Sequence, residues 1–140
     1  MKVQNLDREL IHAHLQLFRS LKSEMKPMGG ITNLTLVQLN ALIFLKEHED
    51  AHVSDLSDYF GIAIPTATVL IDRLTSLKLV RREQDEEDRR VTKVLLTKKG
   101  SKLLEKAIRQ REEILQRVFA RLSTKDKNDF IRIMRNITQN

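Results

Sequence analysis

Basic side chains are concentrated between residues 61 and 99, which carry nine lysines and arginines against six acidic residues. Guanidinium and ammonium groups bind phosphate oxygens. Such contacts position a protein on nucleic acid without reading its sequence, and they make affinity fall steeply with salt. The candidates for phosphate contact are Arg73, Arg81, Arg82, Lys98 and Lys99.

A second set of groups, Thr66 and Thr68, follows a predicted turn between two helical patterns. A threonine offers one hydroxyl and one methyl group, so it can meet a base edge or a thymine methyl in a major groove. The neighbouring Ile64, Pro65 and Ala67 can add only apolar contact. We therefore expect modest direct reading of bases, with specificity that depends on other elements. Helix capping and packing are the alternative roles of the two threonines.

Other kinds of chemistry have little support in the residue pattern. The 140 residues contain no cysteine, which excludes a disulfide or a thiol redox switch, and the four glycines form no phosphate-binding loop. No arrangement of serine, histidine and aspartate is typical of nucleophilic catalysis. His48 and His52 have acidic neighbours, so a metal-sensing cluster is conceivable, but solvated loop histidines are the simpler interpretation. We expect neither enzyme activity nor a cofactor, and we assign no metal ligand.

Two short helical patterns joined by a tight turn would position the threonines. The first begins at Ser54, a predicted N-cap, and Gly61 breaks it. Pro65 suits the first turn of the second helix, because its missing N–H would have no partner there. This outline is a helix-turn-helix, whose second helix can enter a DNA major groove. The predicted apolar face of that helix comprises Val69, Leu70, Leu74 and Leu77.

Two β-prone segments follow the second helix. Residues 79–83 and 91–97 flank a polar connection, roughly residues 84–88, that lacks the glycine of a two-residue turn. We interpret the segments as a two-stranded wing with a long tip. Arg89 and Arg90 then lie where the wing can reach a minor groove, in which an arginine reads groove width and negative potential. A solvated charge run is the alternative for these two residues.

Together these segments resemble the multiple antibiotic resistance regulator (MarR) family of winged-helix transcription factors, over nearly the whole chain. The most specific part is the wing motif at residues 88–90 followed by Leu96-Thr97 and Gly100. The motifs that carry the resemblance are the turn region from Leu56 to Ile62, Asp72-Arg73-Leu74, Leu79-Val80-Arg81-Arg82, Asp88-Arg89-Arg90 and Leu96-Thr97-Lys98-Lys99-Gly100. The resemblance implies a transcriptional regulator that binds double-stranded DNA.

The resemblance also implies roles for individual residues. In the family, the arginine two positions after the wing aspartate inserts into the minor groove, which corresponds to Arg90, and Asp88 would pair with a basic neighbour and fix the wing. Val69 occupies a place where relatives often carry a polar or basic base-reading residue, and Ala63 replaces a capping serine. Asp72 cannot face the arginine that follows it across a helical turn, so we expect it to pair elsewhere, with a wing residue as one candidate.

The predicted fold is mainly α with a small β-wing. Residues 34–100 form a winged helix-turn-helix DNA-binding domain, whose first helix starts with a capping box of Thr35 and Gln38. Residues 1–33 and 101–140 are predicted dimerisation helices, because their apolar stripes exceed what one small core can cover. The resemblance likewise implies a homodimer. The alternative is a monomer whose terminal helices fold back.

The charge distribution favours a polyanionic partner. The formal net charge is +6, which is compatible with nucleic acid, with an acidic membrane or with a soluble protein that is merely basic. Residues 35–60 carry five acidic and one basic side chain, so the positive charge lies on the predicted DNA-reading half. The N-terminus has no signal-peptide pattern and no apolar run is long enough to span a bilayer. We therefore expect a cytoplasmic location and no membrane partner.

The resemblance further implies a small effector, often aromatic or anionic in relatives, bound in a cleft between the dimer helices and the winged domain. The predicted function is therefore a sequence-specific transcriptional regulator, a homodimeric repressor on a pseudo-palindromic operator that the effector releases. The alternative is a winged-helix architectural or protein-interaction module with weak DNA sequence preference. Candidate effector-lining residues, each with a core or surface position as the alternative, are His14, Phe18, Phe44 and Arg111.

Overall fold

The computed structural model describes residues 2–25 and 34–139. Within these two ranges the fold comprises six helices and one two-stranded antiparallel sheet, so the prediction of a mainly α fold with a small β-wing is confirmed. In chain order the elements are helices α1 (Lys2–Met25), α2 (Leu36–Glu47), α3 (Val53–Phe60) and α4 (Ile64–Ser76), strands β1 (Val80–Gln84) and β2 (Thr92–Leu96), and helices α5 (Lys98–Phe119) and α6 (Thr124–Thr138).

Two compact units make up the described chain. The first, here called the winged unit, runs from α2 to Ile108, and the second, the terminal unit, contains α1 and the residues from Arg109 onward. The division between the units falls inside α5, after Ile108. The sequence predicted that the DNA-binding domain ends at residue 100, which lies in the first turn of the same helix. The boundary placed after residue 33 adjoins residues 26–33, which lie outside the described residues.

Helix α2 starts as the sequence predicts, whereas α3 does not. Thr35 Oγ1 accepts a hydrogen bond from Gln38 N at 3.2 Å, and Thr35 N donates to Gln38 Oε1 at 2.9 Å, which completes the capping box. The N-cap of α3 is His52, so the prediction of Ser54 as its N-cap is wrong. His52 N donates to Asp55 Oδ2 at 2.7 Å, and this carboxylate therefore closes the start of the helix.

The turn between α3 and α4 depends on Gly61, which has a φ of 62° at the C-terminal end of α3. Glycine adopts this left-handed conformation without the steric cost that a Cβ imposes. Ser57 Oγ donates to Ile62 O at 2.6 Å, and Ile62 N donates to Ser57 O at 3.0 Å. Pro65 lies in the first turn of α4. The predicted helix-turn-helix is thus present, with its turn at the predicted glycine.

Apolar side chains of the winged unit form one core, in which α4 takes part with Ile71 and Leu74. Ala67 on the same side of α4 is also fully buried. The predicted apolar face of α4 is wrong for Val69 and Leu77, which are 63% and 42% exposed. The helix carries apolar residues on more than one side, and residue spacing alone does not tell which side meets the core.

The wing is attached to the start of α3 through a short extended segment. Strands β1 and β2 pair antiparallel along their whole length. Val94 N in β2 donates to Ala51 O at 2.8 Å, and His52 forms a β-bridge with Lys93. Strand β2 therefore has main-chain contacts both with β1 and with the segment that leads into α3.

The first turn of α5 packs closely on the main chain that leads into the wing. A Cβ on Gly100 would stand 2.0 Å from Leu79 O, which is far inside any normal contact. Thr97 N donates to the same carbonyl oxygen at 3.0 Å, and Thr97 Oγ1 donates to Lys78 O at 2.6 Å. A glycine is therefore required here by the close approach of two backbone segments.

The terminal unit exposes many large apolar side chains. Within this unit the rings of Phe119 and Phe130 lie 5.9 Å apart, and Arg121 Nη2 lies 3.1 Å from Glu24 Oε1. None of the helices in the described ranges combines the length and the apolar character needed to cross a bilayer. The exposed residues are Leu6, Leu10, Ile11, Leu15, Leu17 and Phe18 on α1, and Ile131, Ile133, Met134 and Ile137 on α6.

Candidate nucleic-acid interface

Helix α4 presents most of the predicted base-contacting residues to solvent. Pro65, Thr66 and Val69 are exposed, and Thr68 is half-buried. Thr68 Oγ1 donates to the carbonyl oxygen four residues earlier at 2.9 Å, so its hydroxyl hydrogen is engaged by the helix itself. Ala63 is the N-cap and makes no side-chain hydrogen bond to the first turn. Of the two predicted threonines, Thr66 is therefore the one whose hydroxyl makes no side-chain hydrogen bond within the described residues.

An ion pair connects α4 to the wing. Arg82 Nη2 on β1 lies 2.6 Å from Asp72 Oδ1, so Asp72 pairs away from Arg73 as expected, and its partner is a residue of the wing, the candidate named from the sequence. The two side chains are 35% and 55% exposed, and such a surface pair stabilises a protein by only about 0–1 kcal/mol. Its effect is geometric, because it fixes the wing strand relative to the helix. Arg73, the next residue of α4, is exposed.

Arg81 lies on the opposite face of β1 from Arg82, because successive side chains of a strand alternate between faces. Its guanidinium pairs with the carboxylate of Glu83, two residues further along the same strand. Both side chains are about half exposed. A phosphate that binds Arg81 would therefore compete with an acidic neighbour for the same guanidinium group.

The tip of the wing is held by Asp85. Its Oδ1 accepts hydrogen bonds from Glu87 N at 2.8 Å and from Asp88 N at 3.2 Å. Asp88 Oδ1 in turn accepts from Arg90 N at 3.0 Å, so Asp88 holds the wing through the main chain and not through the basic side chain that was expected. Arg89 and Arg90 are both exposed, and in the described ranges no carboxylate pairs with either.

The other carboxylate oxygen of Asp85 faces strand β2 and the start of α3. Oδ2 lies 3.4 Å from His52 Nε2 and 3.5 Å from Lys93 Nζ, and Lys93 Nζ donates to Asp50 Oδ1 at 2.8 Å. The backbone N–H groups of the tip, that of Glu87 first, hold the pKa of Asp85 at about 2, below its ordinary 3.8. The hydrogen bond to Asp50 raises the pKa of Lys93. These two groups are therefore fully charged at neutral pH.

Exposed lysines cover the start of α5. Lys99 Nζ donates to Leu77 O at 3.0 Å, which links this helix to the C-terminal end of α4. Lys98, Lys102 and Lys106 follow one another at intervals of four residues and line a shallow, open groove. Lys102 and Lys106 were not predicted as contact residues. Their four-residue spacing on a helix is the sequence signal that would have identified them.

The histidines at positions 48 and 52 do not share a helix face, because α2 ends at Glu47. His48 is the C-cap of α2, with its Nδ1 2.9 Å from Phe44 O, and His52 is the N-cap of α3. Among the residues for which the structure gives positions, no group of three or more histidine or acidic side chains is arranged to hold a metal ion. Each of the two histidines therefore has a structural place at a helix end.

The four candidate effector residues lie on three helices. His14 and Phe18 are exposed on α1, and Arg111 is exposed on α5. Phe44 is only 6% exposed in the core of the winged unit, and its ring stacks on that of His48 with 4.2 Å between centroids. Three of the four are therefore surface residues in the described chain, and Phe44 is a core residue.

Sequence reasoning missed the group that joins the wing to the segment before α3, which includes Asp85. This aspartate belongs to an acidic run, and its residue type alone does not show which carboxylate turns toward the protein. One signal was available, because an aspartate side chain readily accepts hydrogen bonds from main-chain N–H groups just after it. The partners from other elements depend on tertiary folding and had no local signal. The residues of this group are Asp50, His52, Asp85 and Lys93.

Comparison with known proteins supports the same assignment as the geometry. A protein-family model with the description "MarR family" matches residues 32–91 of this chain. The organic hydroperoxide resistance transcriptional regulator of Bacillus subtilis (strain 168) is 32% identical over 108 residues, which span 77% of this chain and 71% of the relative. The match therefore includes most of both proteins.

Two further comparisons extend over nearly the whole chain. The transcriptional repressor MprA of Escherichia coli (strain K12) is 28% identical over 134 residues, 94% of this chain and 74% of the relative. The structure of a MarR family protein from Bacillus stearothermophilus superposes with a TM-score of 0.80 at 28% identity, covering 99% of this chain and 94% of that one. The two named relatives are a transcriptional regulator and a transcriptional repressor. The chain belongs to the MarR family of DNA-binding, winged-helix transcriptional regulators.

Proposed function

We propose that the chain is a sequence-specific regulator that binds a pseudo-palindromic DNA operator as a homodimer. One observation carries the proposal: the Asp72–Arg82 ion pair ties α4 to a wing whose tip exposes Arg89 and Arg90. In this arrangement α4 would enter a major groove, and the arginines of the tip would enter the adjacent minor groove. Phosphate contacts would come from Arg73, Arg81, Arg82, Lys98, Lys99 and Lys102.

The exposed apolar surface of the terminal unit supports the homodimer. Leu10 on α1 and Ile137 on α6 are 61% and 71% exposed. An open groove of about 510 Å³ on α5 and α6 is lined mainly by apolar side chains, among them Phe119, Phe130 and Met134. Contiguous exposed apolar surface marks interaction sites. The dimerisation regions in this proposal are residues 1–33 and 101–140, and the DNA-binding domain is residues 34–100.

Repression and release by an effector complete the proposal. MprA is named a transcriptional repressor, and the Bacillus subtilis relative is named for organic hydroperoxide resistance. The chain has no cysteine, so a response to an oxidant would need chemistry other than thiol oxidation. A small aromatic or anionic ligand that binds one state of the dimer better would change the separation of the two α4 helices and release DNA. Of the candidate lining residues, His14, Phe18 and Arg111 are exposed on the terminal unit, and Phe44 belongs to the core of the winged unit.

A regulator of this kind acts where the chromosome is, so a cytoplasmic location is part of the proposal. A second candidate function is an architectural or protein-interaction module with weak DNA sequence preference. The surface of α4 favours it, because the hydroxyl hydrogen of Thr68 is bound within the helix and Val69 has no hydrogen-bonding group. Proteins that bind DNA through phosphates and deformability need no contacts with base edges.

Selection of bound fragments from genomic DNA, followed by a competition titration, separates the two functions. For a specific regulator, the selected duplex should displace a labelled probe at a concentration at least about 1,000-fold below that of random duplex. Equal displacement by the two duplexes would contradict the proposed function and favour the architectural module. Both titrations are run at one stated salt concentration, because the phosphate contacts make affinity depend on it.

The same titration tests the wing. Arg90→Ala should weaken binding to the selected duplex by roughly 5- to 100-fold, because the variant loses an arginine that reads the minor groove. The matched control is Lys46→Ala, which removes one positive charge from the exposed end of α2, outside the proposed DNA-contact and dimerisation residues. Unchanged affinity of the Arg90→Ala protein would contradict the proposed role of the wing.

A further inference from the structure

We propose that α4 recognises thymine through its 5-methyl group, with Val69 as the contact residue and Pro65 beside it. The proposal rests on the proposed function and deepens it, because it names the base and the atom that α4 would distinguish. It follows from three observations: the apolar residues that α4 exposes, the hydrogen bonds that occupy its polar side chains, and the chemistry of the major groove.

Val69 and Pro65 lie four residues apart, so they are neighbours on one side of α4. Both are exposed, Val69 to 63%. On the opposite side of the helix, Ala67, Ile71 and Leu74 are fully buried. A β-branched aliphatic side chain therefore stands near the middle of the surface that α4 turns to solvent, where it contributes nothing to the core.

Most polar side chains of α4 are engaged within the protein. The hydroxyls of Thr68, Thr75 and Ser76 donate to carbonyl oxygens four residues earlier at 2.9, 2.8 and 3.0 Å. Asp72 is paired with Arg82 of the wing. Each of these three hydroxyls must give up its hydrogen bond to the helix before it can donate to a base edge. Apart from the exposed Arg73, helix α4 therefore has no side chain suited to the bidentate recognition of guanine or adenine.

Thymine differs from the other bases in the major groove by its C5-methyl group. Packing that methyl against an aliphatic side chain removes it from water, which corresponds to about fourfold in affinity. Thr66 and Arg73 lie three residues before and four residues after Val69 on the same exposed surface. Polar contacts from these two neighbours would hold the helix in the groove while Val69 meets the methyl group.

The test replaces thymidine by deoxyuridine in the selected duplex, which removes the methyl group and keeps the base-pairing edge. Each thymidine of a half-site is replaced in turn, and Kd is measured by fluorescence anisotropy. The wild-type chain should lose about fourfold in affinity at one or two positions in the centre of the half-site. Val69→Ala should bind the unmodified duplex more weakly and show no further loss at those positions.

Val37→Ala is the matched control, because Val37 is a 50% exposed valine on α2. This variant should keep the full wild-type response to deoxyuridine. Thermal unfolding followed by circular dichroism should be the same for both valine variants, since neither side chain belongs to the core.

Equal affinity of the wild-type chain for thymidine and deoxyuridine duplexes at every position would overturn the proposal and leave sequence-specific binding intact. A deoxyuridine loss that persists unchanged in Val69→Ala would also overturn it, because another residue would then contact the methyl group. If the selection yields no preferred duplex, the proposed function fails first and this proposal fails with it.

Discussion

At the scale of single residues, one carboxylate organises the part of the wing that carries its exposed arginines. Asp85 accepts two main-chain hydrogen bonds from the tip on one oxygen and faces His52 and Lys93 with the other. The arginines at positions 89 and 90 themselves make no ion pair in the described part of the chain. The orientation of these arginines thus depends on an acidic residue that would not itself attract DNA.

The tip of the wing should loosen in acid as Asp85 takes up a proton. Because the folded-state pKa lies at about 2, below the ordinary 3.8, the contribution of this carboxylate is complete above the ordinary value and is lost as the pH falls through about 2. An NMR titration of the Asp85 carboxyl carbon should show a midpoint at about 2. The amide protons of Glu87 and Asp88 should shift with the same midpoint.

Asp85→Asn is the control for this titration, because it keeps the side-chain shape and removes the acid. In that variant the two amide protons should no longer follow a transition at about pH 2. A carboxyl midpoint at or above 3.8 in the unmodified chain would contradict the hydrogen-bonding role of Asp85 at the tip.

Residue types identify candidates for phosphate binding, but not what those residues touch in the fold. Arginine and lysine are recognisable from their chemistry, whereas the partners of Arg81 and Arg82 depend on the strand pairing and the helix next to it. Only the pairing of Asp72 was inferred, because the geometry of a helix excluded its immediate neighbour. Local chemistry therefore predicts the candidates, and tertiary contacts decide which of them have other partners.

At the scale of helices and strands, the sequence predicted which elements exist better than how each is placed. The glycine turn, the capping box of α2 and the hairpin all follow from local rules and were confirmed. The buried side of α4 was wrong for Val69 and Leu77, and the N-cap of α3 was wrong for Ser54. For α4, several sides of the helix carry apolar residues and packing selected among them. For α3, the Asp55 carboxylate accepts a hydrogen bond from His52 N, so the helix starts at a residue whose type does not indicate an N-cap.

Gly100 tests how tightly the elements of the winged unit fit. Helix propensity alone predicts that Gly100→Ala stabilises the first turn of α5 by up to about 1 kcal/mol. The 2.0 Å approach of a Cβ to Leu79 O predicts the opposite sign, a loss of roughly 1–3 kcal/mol in the free energy of unfolding. Urea denaturation of the variant and the wild-type chain measures the difference.

Gly61→Ala is the useful comparison in that experiment, because a Cβ at Gly61 meets nothing within 4 Å and only the φ of 62° opposes it. Its loss should be about 1–2 kcal/mol and should leave the Leu79 region unchanged. A neutral or stabilising Gly100→Ala substitution would contradict the close packing of α5 on the wing.

At the scale of the whole molecule, the proposal requires two copies of the chain to act together. The winged unit carries the groups that would meet DNA, and the terminal unit carries exposed apolar helices that a second copy would cover. Neither the operator nor the effector is recognisable from residue types, because both depend on how two protomers are placed. The sequence could therefore predict the kind of partner, but not the distance between two half-sites.

That distance can be measured with duplexes that carry two copies of the selected half-site at different separations. A homodimer with two α4 helices in successive major grooves should bind tightly when the centres are about one helical turn apart, roughly 10 base pairs, or at multiples of it. Affinity should fall to that of a single half-site when about five further base pairs turn one half-site to the opposite face of the duplex. Equal affinity at both separations would contradict the proposed dimeric recognition of DNA.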